Sequence, residues 1–250
     1  KNGKPTGEAK NIRYAFNFLV NQFGTTRARE FGPLKLKAVR QSMIDSGLCR
    51  TSINRHVARI KSTFKWSAEN ELSPIAVYQA LATVAGLKRS RTDAKESEPV
   101  TAVALDHVYA IEPYVTRPVW GLIKFQLFTG ARPGEACRVR GRNINMSGGK
   151  MWEFVPESHK TEHRNKQRVI FIGVYPEAKE VVREFLKADL NACLFSPRDG
   201  RRSYENANYN KTAKKRSGKR QPREYYAVES LAGAISNACK RADVPHWHSN

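Results

Sequence analysis

Along the first third of the chain, apolar residues return every three or four positions, the period at which one helical face meets a core. Ile12, Ala15, Phe16, Leu19, Val20 and Phe23 form one such stripe, which ends at Gly24. A second helix is expected from Pro33, where a missing backbone donor costs nothing, through Leu36, Val39 and Met43 to about Gly47. Thr51 or Ser52 is placed to cap a third. Its spacing turns Ile53, Val57, Ile60 and Phe64 inward, and Arg55, Arg59, Ser62 and Lys65 outward. Ser73-Pro74 opens a fourth helix, expected to run to Gly86. Residues 88–99 are polar and almost free of apolar side chains, the composition of a linker.

Beyond the linker the pattern is mixed. A short helix is expected near Leu105–Ile111, then a strongly apolar one carrying Val119, Leu122, Ile123, Phe125, Leu127 and Phe128. Thr129-Gly130 stops it, and Pro133 with Glu135 in the first turn starts another short helix. Residues 151–155 and 168–172 are β-rich runs joined by a polar connection, which predicts a hairpin. Pro176 to about Ala188 should be helical around Val181, Val182, Phe185 and Leu186. Residues 198–223 carry ten Lys or Arg against two acids and are expected to form a mobile loop. A last helix from about Glu224 would bury Val228, Leu231, Ile235 and Cys239.

Two domains suit a chain of 250 residues. Composition narrows the class further. Lys and Arg number 44 against 23 Asp and Glu, a net charge of +21, while 40% hydrophobic residues suffice for a core. Residues 1–98 hold 18 basic and 8 acidic residues, net +10, and residues 99–250 hold 26 and 15, net +11. Both halves are therefore positive, which suggests a clamp around a polyanion rather than a basic tail. No apolar run approaches the ~20 residues that cross a bilayer, and the N-terminus is no secretory signal. The four cysteines (Cys49, Cys137, Cys193 and Cys239) form no C-x-x-C pair, which argues against a zinc ribbon and for a reducing cytoplasm. Walker, Rossmann and G-x-S-x-G patterns are absent, and the acids are too scattered for a two-metal nuclease.

The chemistry concentrates in Leu127-Phe-Thr-Gly-Ala-Arg-Pro-Gly-Glu-Ala136. Arg132 stands between a glycine turn and a proline-led helix start, with little freedom, and its planar fork suits two phosphate oxygens. The helix start behind it adds backbone donors. This string resembles the first catalytic box of the tyrosine recombinase, or phage integrase, family. The order of elements over almost the whole chain is similar too: a helical domain, a linker, a long apolar helix, the T-G-x-R-P-G-E box and a hairpin bearing His159-Lys160-Thr161. A closing helix then leads toward a histidine-and-arginine box.

The resemblance implies an α-rich, two-domain fold. A helical core-binding (SAM-like) domain at 1–95 would precede a mixed α/β catalytic domain at 99–250 with a small β-hairpin or sheet. It implies that Arg132 braces the scissile phosphate, that Glu135 supports it, and that Lys160 is the general acid for the leaving 5′-oxygen. Lys166 is a rival on the same connection. His248 matches the histidine of the second box in one register, and Asn250 takes that position in another. The second arginine and the nucleophilic tyrosine of the family do not appear, because Tyr204, Tyr209, Tyr225 and Tyr226 all precede that box. The 250 residues are therefore expected to bind DNA without cleaving it.

The implied activity is site-specific recombination or integration of double-stranded DNA in the cytoplasm, as on a mobile genetic element, with no cofactor or metal. Self-association, a tetramer on DNA, is implied as well. Arg55, Arg59, Lys65, Lys88, Arg89, Arg91 and Lys166 are the candidate DNA contacts. Two other functions remain open at this point: a non-catalytic nucleic-acid-binding protein and a type IB topoisomerase-like enzyme.

Overall fold

In the computed structural model, which describes residues 7–158, 167–200 and 222–249, the first apolar stripe becomes helix α1, Glu8–Phe23. It is followed by α2 (Pro33–Asp45), α3 (Arg50–Glu69) and α4 (Ile75–Ala82). Residues 1–101 form one compact unit and 102–250 a second. In the first unit Ala15, Leu19, Leu36, Val39, Met43, Ile53, Val57, Ile60, Phe64 and Leu81 close a single core. Phe31 stacks on Phe64 at a ring separation of 5.3 Å and seals the gap between helices.

Four local expectations are corrected here. Val20 is 55% exposed, because it lies about a quarter turn round from Leu19; Phe18, not Val20, packs against the core. The cap of α3 is Cys49, not Thr51 or Ser52. Those two hydroxyls approach the Cys49 thiol instead, at 3.5 and 3.1 Å, and their hydrogen bonds draw it down to about 7. Helix α4 stops at Ala82, short of Gly86; there Lys61 Nζ bonds the carbonyls of Ala82 and Val84, and Arg40 Nη1 that of Ala85. Residues 88–96 do not hang free. Lys95 bridges Cys49, Arg50 donates to Lys95 O and pairs with Glu96 at 2.6 Å, and Ala94 enters the core.

The second unit is organised by α6 (Arg117–Thr129), preceded by α5 (Leu105–Ala110) and followed by the four-residue α7 (Pro133–Ala136). Pro118 stands in the first turn of α6, two residues after the cap Thr116, and Gly130 ends the helix at φ 64°, a left-handed value that glycine adopts without steric cost. A three-stranded antiparallel sheet follows: β1 (Ile144–Asn145), β2 (Trp152–Phe154) and β3 (Ile170–Ile172). The expected hairpin is the β2–β3 pair, with Trp152 opposite Ile172 and Phe154 opposite Ile170. The sequence gives no warning of β1. Alternation places Trp152, Phe154, Ile170 and Ile172 against α6 and leaves Glu153 and Phe171 on the other face.

Helices α8 (Pro176–Phe185) and α9 (Val228–Ala242) complete the unit. Val228 is the first residue of α9 and remains 41% exposed, while Leu231, Ile235, Ala238 and Cys239 are buried. The basic stretch expected to be a loop begins as helix at 197–200, where Asp199 pairs with Lys187 at 2.6 Å; 201–221 lie outside the described residues. Arg140 bonds Glu224 and the Asn191 carbonyl and approaches Glu157, tying three connections together.

Helices α6 and α8 approach closely because Gly121 lacks a side chain: a methyl there would overlap the Phe185 ring and press on Phe195. Gly121→Ala should cost about 1–3 kcal/mol by overpacking, measurable as a lowered denaturation midpoint at unchanged m-value. His56 supplies a second expectation. Burial against α1 lowers its pKa, helped by the charge of Arg59 and opposed by Glu8. The unfolded chain then binds more protons than the folded one. Stability should rise with pH from the lowered folded value up to about 6.5, and His56→Phe should flatten that rise in urea titrations at several pH values.

Candidate active site

The short helix α7 is too brief to form on its own, so its start must be held by side chains. Glu135 does this from a position only 4% exposed. One carboxylate oxygen accepts the backbone N–H of Arg132 at 2.9 Å, and the other accepts Arg132 Nη1 at 3.0 Å. Arg168, at the entry to β3, brings its Nε to 2.9 Å from that second oxygen as an ion pair. Two guanidinium groups thus share one buried carboxylate, leaving a net positive charge. The Arg132 side chain is 46% exposed, and it makes no other hydrogen bond among the described residues.

Arg132 lines a cavity of about 560 Å³ with Val103, Ile123, Gln126, Trp247 and His248. The tail after α9 delivers the last two. Trp247 is buried, while His248 is exposed and meets His246 edge to face at 4.5 Å. The Trp247 indole N–H and both ends of the Gln126 amide have no partner among the described residues. No group of three His, Cys, Asp or Glu suited to a metal occurs among the described residues. Nor is any described helix long and apolar enough to cross a membrane.

The structure therefore gathers Arg132, Glu135 and His248. Lys160, Lys166 and Asn250 lie outside the described residues, as do Tyr204 and Tyr209. Tyr225 stacks beneath Arg138, 5.3 Å from its guanidinium carbon, and Tyr226 packs on the core. No tyrosine lines the Arg132 cavity among the described residues. Of the candidate DNA contacts, Arg55 is exposed beside Trp66, Lys65 pairs with Glu69 at 3.5 Å, and Arg59 is held by Glu8 at 2.6 and 3.2 Å. Lys88, Arg89 and Arg91 are exposed. Sequence reasoning missed Arg168. It lies far along the chain from Glu135, and only the pairing of β3 brings it back.

No family model and no curated protein matches the sequence. Solved structures do. A lambda integrase dimer bound to a COC′ core site superposes with a TM-score of 0.64 at 13% identity, over 97% of this chain and 74% of that one. The XerH site-specific recombinase bound to palindromic difH substrate gives 0.63 at 12% identity, over 96% of this chain and 64% of XerH. The integrase of the Tn1549 transposon, in complex with circular intermediate DNA, gives 0.59 at 12% identity, over 96% and 74%. The chain has the tyrosine recombinase fold.

Glu135→Ala should destabilise the second unit by about 2–3 kcal/mol, since it strands the partly buried Arg168 and removes the brace of α7. Glu135→Gln should cost less, because one amide oxygen still accepts the Arg132 N–H. Equal losses in the two variants, measured by denaturant unfolding, would contradict the bracing role.

Proposed function

We propose that the protein is a site-specific DNA recombinase that cuts and rejoins strands through a 3′-phosphotyrosyl intermediate. The observation that carries this reading is the Arg132 guanidinium, fixed by a buried carboxylate yet half exposed to a cavity that it shares with His248. Attack on a phosphodiester builds negative charge on a pentacoordinate phosphorus, and preorganised cations lower that barrier most. Glu135 occupies one Nη of Arg132, which leaves the remaining edge of the fork for two phosphate oxygens. Arg168 adds positive charge behind it. His248 would hydrogen-bond the phosphate, and Lys160 would protonate the departing 5′-oxygen. The similarity to integrases and recombinases solved with DNA, and the net charge of +21, support DNA as the substrate. Assembly as a tetramer on DNA belongs to the same reading.

The nucleophile is the part for which no described residue qualifies, since no tyrosine lines the cavity. That observation keeps a second reading, DNA binding without chemistry. A nicked suicide duplex separates the two. These 250 residues are expected to bind it without a covalent adduct, and a C-terminally extended version to form one. Arg132→Ala in the extended version should slow adduct formation by at least about 10²-fold while duplex affinity stays close to wild type. Failure of the extended protein to form any adduct would leave the binding reading. Lys160→Ala should regain cleavage on a substrate with a 5′-bridging sulfur, because a thiolate departs without a general acid. No rescue would transfer that role to Lys166.

A further inference from the structure

Most cations whose contacts hold the first unit together have an acid beside them. Arg50 faces Glu96, Arg59 faces Glu8, Lys65 faces Glu69 and Arg29 faces Glu30. On one surface, cations without such a partner gather around a single cavity. Where α4 stops at Ala82, the chain runs on as a strap over 83–91, and with the first turns of α2 it walls a cavity of about 410 Å³. Lys37, Arg40, Lys88 and Arg91 line it, and no acidic residue does. None of the four forms an ion pair among the described residues.

The cavity has a built floor. Arg40 Nη1 donates to Ala85 O at 2.9 Å, and Lys61 Nζ donates to the carbonyls of Ala82 and Val84 from behind the strap. Asn54 clamps the next residue twice, donating to Leu87 O at 3.0 Å and accepting the Leu87 N–H at 2.8 Å. The backbone of the strap is thereby fixed, and Arg40 is anchored against it. Burial lowers the Lys61 pKa, and repulsion from Arg40 adds to it, so positive charge here is crowded rather than compensated. Helix α2 begins at Pro33 on the rim, where its first amides add partial positive charge.

We propose that this cavity seats a phosphodiester oxyanion, a backbone phosphate of duplex DNA, gripped by Lys37, Arg40, Lys88 and Arg91. The source rests on the DNA-recombinase reading above; the oxyanion chemistry does not. A phosphate has the charge for such a pocket, and a guanidinium anchored through one Nη keeps other donors for its oxygens. The contact positions the DNA and carries no base information.

The test compares wild type with Lys37→Ala/Arg91→Ala, two exposed positions whose truncation leaves the core intact. The matched control is Arg27→Ala/Arg29→Ala, which removes the same charge elsewhere on the unit. Duplex affinity is measured across a salt series, on a cognate-like and on a random duplex. The double variant should weaken binding equally on both, and its log–log salt slope should be shallower by about 0.9 for the lost phosphate, while the control keeps the wild-type slope. An unchanged slope, or an equal change in the control, overturns the site and leaves the recombinase reading intact. In a parallel arm, inorganic phosphate is titrated while the Arg40 and Arg91 side-chain N–H signals are followed by NMR. Shifts with phosphate but no effect on duplex binding overturn the DNA assignment in favour of a free anion. No salt-dependent duplex binding by wild type removes both the assignment and the recombinase reading.

Discussion

The Glu135 carboxylate is the constraint on which the candidate site depends. A carboxylate this deeply buried persists only when its charge is met, and here three groups meet it: the Arg132 amide and the Arg132 guanidinium as hydrogen-bond donors, and the Arg168 guanidinium as an ion pair. The first starts α7, the second aims Arg132, and the third locks β3 to that turn. Gly130 contributes the left-handed residue that ends α6 and swings the chain into position. Strand register matters equally, because sliding β3 by one residue would send its side chains to the opposite face.

Positive charge in this protein does two separate jobs. Arginines with an acid beside them tie segments together: Arg50 with Glu96 pins a connection to α3, Arg117 with Glu184 joins α6 to α8, and Arg140 with Glu224 joins two connections. Exposed pairs of this kind contribute little net stability, but they fix where flanking segments run. The cations around the strap, which no acid pairs among the described residues, and the open edge of Arg132 keep their field for a partner. A charge count alone merges the two groups. Arg59 shows the difference: it stands on the outer face of α3 beside the exposed Arg55, and its guanidinium is paired with Glu8.

Much of the fold was legible because its signals are local. The stripe Ile53, Val57, Ile60 and Phe64 defines α3 by period alone, and Pro33, Pro133 and Pro176 each mark a helix start through a missing donor. The Arg132–Glu135 pair was legible for the same reason, since both residues lie within one helical turn. Period fails only at the margins, as at Val20 and Val228, where a side chain sits at the edge of a stripe or on a helix's first residue.

What the sequence could not determine depends on residues far apart in the chain. Helix α4 has the composition to continue past Ala82, yet it stops there, and Lys61 and Arg40, on two other helices, bond the carbonyls at and beyond its end. The polar segment 88–96 looks like a free linker until Ala94 and Arg50 dock it. β1 is too short to carry an alternation of its own and exists only through its pairing with β2. Arg168 reaches Glu135 only through the hairpin. A turn of helix is decided by its own few residues, so the sequence alone determined Arg132 and its brace. Cavities, shared carboxylates and claimed carbonyls arise only when distant segments are packed together, so the tertiary structure decided those.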